Sequence, residues 1–364
     1  MKFSAERESL LAALQSVIGV VERRQTMPIL ANLLLSAKQG RLSITATDLE
    51  VELVAQATIK SGADGQLTLP GRKFLDICRS LPEGVTLTVT QDGDKATVRG
   101  ARSRFVLATL PPGDYPAVEE LAEQQTLELA QADLKRLLDK THFAMAQQDV
   151  RYYLNGMLLE TDGKMLRTVA TDGHRLALCE MDLPGKADAQ QVIVPRKGVL
   201  ELQRLLSTEG TVGITIGSSH VRAQIGDVRF TSKLIDGRFP EYGRVIPAAP
   251  PRTVVADREV LRAALHRTSI LANEKYRGIR LALKKNSLTL QAHNPEQEEA
   301  EEQVEVTYKG DELEVGFNVT YLLEALAAVD GTEVEIGVTD GNSSCLIHAP
   351  GATSARYVVM PMRL

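Results

Sequence analysis

The side chains able to do chemistry are scattered along this chain. His174 follows Asp172 in Thr171-Asp-Gly-His-Arg-Leu176, but the sequence supplies neither a nucleophile nor a third member for an acid–base constellation. The segment reads as a turn between strands, with Gly173 supplying the bend. Cys78, Cys179 and Cys345 lie far apart and form no CxxC pair, so they are expected as buried apolar residues. The six histidines (142, 174, 220, 266, 293, 348) never fall three to five apart, which rules out a helical metal pair. No phosphate-cradling GxxxxGK[ST] and no GxGxxG after a strand occurs. The expectation is a protein without catalytic residues, cofactor or metal.

Contact chemistry remains. Gln148, Arg151, Tyr152 and Tyr153 follow a helix pattern, and their plainest reading is a strand start with tyrosine hydroxyls exposed. The tail Val358 to Leu364 holds Met360 and Met362, flexible side chains suited to a surface that accepts several partners. An apolar tail left free frays, so this one is expected to pack.

The elements carrying these residues come in threes. Ala46-Thr-Asp-Leu-Glu-Val-Glu52, Ala170-Thr-Asp-Gly-His-Arg-Leu176 and Ala292-His-Asn-Pro-Glu-Gln-Glu298 recur at offsets of 124 and 122 residues. Arg104-Phe105, Arg229-Phe230 and Arg356-Tyr357 keep the same step, as do helix-like phrases beginning at Phe74, Val199 and Tyr321. Three unrelated markers in one period mean three copies of one domain. Proline-rich stretches at 111–120 and 245–251 set the domains at 1–120, 121–248 and 249–364. Apolar spacings of three and four predict helices over 7–24, 72–80, 131–147, 196–206, 257–272 and 318–328. Leu42-Ser-Ile-Thr-Ala, Leu87-Thr-Val-Thr and Leu288-Thr-Leu-Gln-Ala alternate as half-buried strands. Asp92-Gly93 and Asp162-Gly163 mark hairpin turns. The fold class is α+β, with two helices on antiparallel sheets in each copy.

The 364-residue chain has 43% hydrophobic and 24% charged residues, the composition of a soluble globular protein. It opens acidic, without an apolar leader, and no stretch reaches membrane-span length, so a cytoplasmic location is expected. An aromatic share of 4% with no Trp argues against a base-stacking surface. The net charge of −5 hides a division. The six predicted helices hold 15 Lys and Arg against 9 Asp and Glu, while the remainder is acidic. A basic helical face attracts phosphate without reading sequence. Six helices at about 10 Å spacing close a loop of only ~60 Å, too small for a duplex. Twelve leave room, so a head-to-tail pair of chains is the expected ring.

With these features in hand, the chain resembles the bacterial DNA polymerase III beta subunits, the sliding clamps. The resemblance runs from Met1 to Leu364 and is most specific at Asp149-Val-Arg-Tyr-Tyr-Leu-Asn-Gly156, Ala170 to Leu176, Asn294 to Glu302 and Tyr357 to Leu364. It implies a non-catalytic processivity factor, a ring-shaped homodimer of six alike domains around duplex DNA. It implies DNA contact by Arg24, Arg72, Gln148, Tyr152 and Tyr153, whose types suit phosphate.

The resemblance also implies a groove for linear motifs of the replicative polymerase alpha subunit, the clamp loader, other polymerases and repair proteins. Its walls would be Arg151, Leu154, Thr171, Gly173, His174, Arg175 and Leu176, with Pro240, Arg244 and Val245. Asn318, Tyr321, Ser344, Val358, Met360, Pro361, Met362, Arg363 and Leu364 would complete it. Ile270 and Leu271 would meet Phe105 and Leu107 of a second chain, with Glu298 and Glu302 facing Lys73, Arg102 and Arg104. The plain alternatives are core packing for Ile270-Leu271 and a solvated acidic run for Glu296 to Glu302. A peptide-binding scaffold that never touches DNA is the rival from another class.

Overall fold

A computed structural model describes residues 1–21, 27–116 and 125–363. The six helices fall where the periodicity puts them: α1 Arg7–Val17, α2 Gly71–Ser80, α3 Gln131–Thr141, α4 Arg196–Leu205, α5 Arg258–Thr268 and α6 Val319–Ala328. A short strand precedes the first helix of each copy, at Lys2–Glu6, Gln125–Ala130 and Arg252–Asp257.

The three opening helices end earlier than their apolar spacing suggests, and each passes into a 3₁₀ turn, at Ile18–Val20, His142–Ala144 and Ser269–Leu271. A hydroxyl near each end turns back on the carbonyl four residues earlier. Ser16 Oγ donates to Ala12 O at 3.0 Å, Thr141 Oγ1 to Leu137 O at 2.7 Å and Thr268 Oγ1 to Ala264 O at 2.9 Å. Such bonds compete with the helical ladder and bend it. Residues 22–24 of the first predicted helix, Arg24 among them, lie outside the described residues, as do 117–120 of the first proline-rich stretch.

Two compact units divide the chain: residues 1–132 with 197–234, and 133–196 with 235–364. The first unit contains an eight-stranded antiparallel sheet in which Val51–Thr58 joins Val228–Lys233, so that four strands from the first repeat meet four from the second. The second unit repeats the device, joining Arg175–Asp182 to Ala355–Val359. Each unit has a further sheet with an unpaired edge, Ser103–Ala108 in the first and Glu299–Glu305 in the second. α1 packs on α2, and α5 on α6.

The repeated Ala-Thr-Asp phrase is a hairpin turn. Asp48 Oδ1 accepts the N–H groups of Glu50 and Val51, and Asp172 Oδ1 those of His174 and Arg175. Asn294 Oδ1 accepts that of Glu298, one residue later, so the third loop is longer. Side-chain acceptors of this kind hold the turn, and in each copy one residue takes a positive φ, Leu49 at 78°, Gly173 at 89° and Gln297 at 66°. Register follows the marker: Ala46 faces Leu53, Ala170 faces Ala177 and Ala292 faces Ala300. The predicted hairpins at Asp92-Gly93 and Asp162-Gly163 both form, with φ of 59° at Gly93 and 101° at Gly163. All three cysteines are free and buried.

Candidate partner groove

In the second unit, one cavity of about 170 Å³ gathers residues from distant parts of the sequence. Arg151, Leu154, Thr171, Gly173, Arg175, Leu176, Pro240, Val245, Val358 and Met360 line it, all of them among the groove residues read from sequence. Tyr153 and Tyr242 line it too. The resemblance places Tyr153 at DNA, and the sequence does not mark Tyr242 as a groove residue. Its signal was an aromatic beside Pro240 in a loop, and the strands hid how close that loop comes.

The floor is a buried apolar cluster of Leu158, Val169, Leu176, Leu178, Ile193, Phe239, Leu346 and Val358. Leu176 and Leu178 alternate along one strand. The others are cross-strand partners, Leu178 of Val169, Val169 of Leu158, Leu158 of Ile193, and Val358 of Leu176 and Leu346. One face of the sheet therefore presents them together, with Phe239 added from a loop. The turn at Thr171–Arg175 forms the rim. Gly173 has φ of 89°, a conformation that favours glycine, and the guanidinium of Arg151 packs against it, 2.9 Å from where a Cβ would stand. Arg151 is held by Asp149 through bonds of 3.0 and 2.8 Å and reaches Asp172 O at 3.2 Å. Hydrogen bonds from Arg151 hold the Asp149 carboxyl down at about 2. Asn155 clasps this loop, donating to Asp149 O and accepting from Asp149 N, both at 2.9 Å.

Arg175 reaches farther. Its Nε meets Asp172 Oδ2 at 3.1 Å, Nη2 donates to Phe143 O at 2.7 Å, and Nη1 pairs with Glu324 on α6. Tyr321 lies beside the same guanidinium, and burial raises its phenol's pKa. Asn318 caps α6, accepting from Thr320 N at 2.9 Å. The tail is fastened by its backbone: Met360 N donates to His174 O at 2.9 Å and Met362 N to Gly316 O at 2.8 Å. His174 and Arg244 have exposed side chains, while Ser344, Pro361 and Met362 are half-buried and Arg363 is exposed. Leu364 lies outside the described residues.

The other assigned residues stand apart. Arg72 is exposed and donates to Val21 O at 2.6 Å. Gln148 is exposed with φ of 56°, and Tyr152 is 58% exposed beside Tyr153. Lys73, Arg102 and Arg104 are exposed, Phe105 is half-buried and Leu107 is buried. Ile270 is 70% exposed and Leu271 half-buried. Glu298 bonds within its own loop, to Asn294 Nδ2 at 2.6 Å, and Glu302 is gripped by Arg267 of the same chain at 3.0 Å. The six helices hold 13 Lys and Arg against 7 Asp and Glu. Among the described residues no group of His, Cys, Asp and Glu could hold a metal, and no helix is long and apolar enough to cross a membrane.

A threefold α+β repeat whose helices together carry an excess of Lys and Arg, with an apolar cavity of about 170 Å³ beside its tail, has the plan of a clamp-type binding protein. The chain belongs to the DNA polymerase III beta subunit family. Its N-terminal domain profile matches residues 1–119, its central one 128–241 and its C-terminal one 243–363. The beta sliding clamp of Pseudomonas aeruginosa is 54% identical over 368 residues, with both chains covered in full. The crystal structure of that organism's DNA polymerase III subunit beta superposes with a TM-score of 0.97 at 54% identity, again covering all of both chains. A second structure of the same clamp, bound to griselimycin, also has a TM-score of 0.97 at 54% identity and full coverage. The chain is thus a sliding clamp, a processivity subunit that does no chemistry itself.

Proposed function

We propose that two copies of this chain close head to tail into a ring around duplex DNA in the cytoplasm, and that each copy offers its groove to short linear motifs. The domains follow the repeat, at 1–120, 121–248 and 249–364. Partners are the replicative polymerase alpha subunit, the clamp loader, other polymerases and repair proteins. The groove residues are those named from the sequence, together with Tyr153 and Tyr242, which line the same cavity. Arg24, Arg72, Gln148, Tyr152 and Tyr153 touch phosphate, and no base is read.

The observation carrying this reading is a broken symmetry among the repeats. Phe230 and Tyr357 are 0% and 1% exposed because a neighbouring strand pairs with theirs, opposite Leu53 and Ala177. Phe105 has the same place in the repeat, yet its strand is an unpaired edge, and the next residue, Val106, is 45% exposed. The acidic strand Glu299–Glu305 is the matching edge of the other unit. Leu271 follows the same pattern: its counterparts Val20 and Ala144 are 0% exposed, whereas Leu271 is half-buried. A second chain supplies what the first and third repeats lack, through Phe105, Leu107, Ile270 and Leu271. Lys73, Arg102 and Arg104 face Glu298 and Glu302 there and set the orientation.

The test is topological. Loaded onto nicked circular duplex, the protein stays in salt that strips ordinary electrostatic binders, and it leaves when the circle is cut. Equal loss from circular and linear DNA defeats encirclement.

A further inference from the structure

Each junction between repeats inside the chain brings the opening helix of one repeat to the middle helix of the next, with a cation at the seam. Where the first repeat meets the second, Arg204 of α4 donates to Gln15 O at 3.2 Å and to Ser16 O at 2.6 Å, in the last turn of α1. Where the second meets the third, Lys140 of α3 donates to the carbonyl of Ala328, the last residue of α6, at 2.5 Å and pairs with Asp330. Carbonyls in a last turn lack the N–H groups of a following turn, and that end of a helix carries partial negative charge, so a cation there answers both. The buried faces align the helices: Leu14, Leu138 and Leu265 are equivalent in the opening ones, and Phe74, Val199 and Leu322 in the middle ones. Counting on from them, Lys140 has Ser16 as its counterpart in α1 and Arg267 in α5, while Arg204 has Arg79 in α2 and Ala327 in α6. Arg204 thus works opposite Ser16, and Lys140 opposite Ala327.

The helices left over are α5 and α2, and on the ring reading α5 of one chain meets α2 of the next. We infer that Arg79 belongs to that meeting: its guanidinium donates across the junction to the carbonyls of His266 and Arg267 in the last turn of α5 of the second chain, as Arg204 does to Gln15 and Ser16. The inference rests on the ring reading above and adds a helix-end contact to its strand pairing. Three observations select Arg79. Its side chain is exposed, whereas Arg267 is already engaged with Glu302 of its own chain at 3.0 Å. Asp76 stands behind Arg79 at the spacing by which Glu201 holds Arg204, at 3.0 Å, and Asp76 is exposed as well. Glu201 also lies against Gly19, where a Cβ would come within 2.3 Å of its Oε2. The counterpart of Gly19 in α5 is Ile270, and Asp76 is shorter than Glu201 by one methylene, which leaves room for the larger side chain. The forked donor of arginine can bond two successive carbonyls at once.

The experiment measures subunit exchange between two fluorescently labelled pools of the full-length protein, with sedimentation for the oligomeric state and circular dichroism for the fold. Arg79→Ala speeds exchange roughly tenfold, the scale of a lost hydrogen bond to a charged group, and keeps the native spectrum. Arg79→Lys recovers much of the loss, because a lysine already serves such a helix end at Lys140. Arg79→Glu sets a carboxylate at the negative helix end and exchanges faster than Arg79→Ala. Arg41→Ala removes an exposed charge from the same repeat away from α2 and exchanges like the unaltered protein. Arg79→Cys combined with Arg267→Cys gives covalent dimers with a short bifunctional maleimide. The inference is overturned if Arg79→Ala exchanges like Arg41→Ala, if Arg79→Lys is as fast as Arg79→Glu, or if the cysteine pair yields no covalent dimer. An unaltered protein that sediments as a monomer is a separate result, and it removes the ring reading along with this contact.

Discussion

The guanidinium of Arg175 lies over the ring of Tyr321, with its carbon 4.5 Å from the ring centroid. The two residues come from repeats two and three, and their meeting joins the turn that rims the groove to helix α6. The same guanidinium also sits 5.4 Å from the Phe143 ring centroid. Stacking of this kind uses the flat face of arginine while its edge remains free for carboxylates. Arg175 therefore acts less as a ligand contact than as the post that holds Tyr321 in place.

Arg175→Lys is then not conservative. A lysine cannot pair with Asp172, Glu324 and Phe143 O at once, nor stack as a plane. Arg175→Lys and Arg175→Ala are each expected to weaken peptide binding roughly tenfold, about 1.4 kcal/mol. The dimer and overall secondary structure are retained. Titration by fluorescence polarisation, alongside circular dichroism and sedimentation, checks this. Full affinity in both variants would remove the positioning role.

Removing Met360 to Leu364 abolishes peptide binding and leaves the dimer and its sliding intact. Met360 lines the groove, and Met362 N bonds Gly316 O on the strand at the opposite edge of its sheet from Glu299–Glu305. Tyr321→Ala costs about 2 kcal/mol, as aromatic anchors commonly do, or roughly 30-fold in affinity. His174→Ala costs less, because the exposed ring is lost while the carbonyl that accepts from Met360 remains. Unchanged affinity in the truncation would put the partner site elsewhere.

How much of this was legible beforehand depended on the range of the interaction. Helices and hairpins follow from local spacing and from turn residues such as Asp172 and Gly173, so periodicity located them. The ends of α1, α3 and α5 depend on single hydroxyls at Ser16, Thr141 and Thr268, which an apolar period does not register. The meeting of Thr171–Leu176, Pro240, Val245 and Val358 around one cavity is a result of strand order, since 175–182 pairs with 355–359. No local signal contains that pairing, and the family resemblance supplied those residues. Tyr242 escaped because its place depends on the path of a loop, not on a motif.

Ile270→Asp with Leu271→Asp turns the dimer into folded monomers. Ile270 is 70% exposed in the single chain, so the change costs the isolated fold little. In the proposed ring two carboxylates would be buried against Phe105 and Leu107 without partners, a penalty of roughly several kcal/mol. Sedimentation and circular dichroism distinguish the outcomes. A native dimer would move these residues off the interface, and an unfolded chain would assign them to the core.

Burial raises the thiol pKa of Cys78 and of Cys345 to about 12. Desolvation penalises the thiolate, which is the reactive form, so at pH 8 almost none is present at these two sites in the folded protein. Cys179 moves in the same direction for the same reason. A disulfide reagent at pH 8 is expected to find essentially no fast-reacting thiol in the native protein and all three after denaturation. A fast native thiol would mean that one of these sites opens readily.

Those silent cysteines permit a direct test of how the ring closes. Within the chain the repeats set the junction register twice. Phe230 faces Leu53, which faces Ala46, and Tyr357 faces Ala177, which faces Ala170. In the third copy Ala292 faces Ala300. Transferring the register sets Phe105 of one chain opposite Ala300 of the next. Residues directly opposite in an antiparallel pair have Cα atoms about 4.5–5.5 Å apart, within the span of a disulfide. Phe105→Cys combined with Ala300→Cys therefore oxidises to a covalent dimer, whereas Phe105→Cys with Glu301→Cys, whose side chain points to the other face, does so poorly. Because the contact is heterologous, its geometry also reports closure. A closed pair with both junctions linked stops at the dimer on a non-reducing gel, and an open arrangement gives a ladder of trimers and longer chains. Efficient linkage only in the Glu301 pair would mean a register shifted by one residue, and a ladder would mean that the two chains do not form a ring.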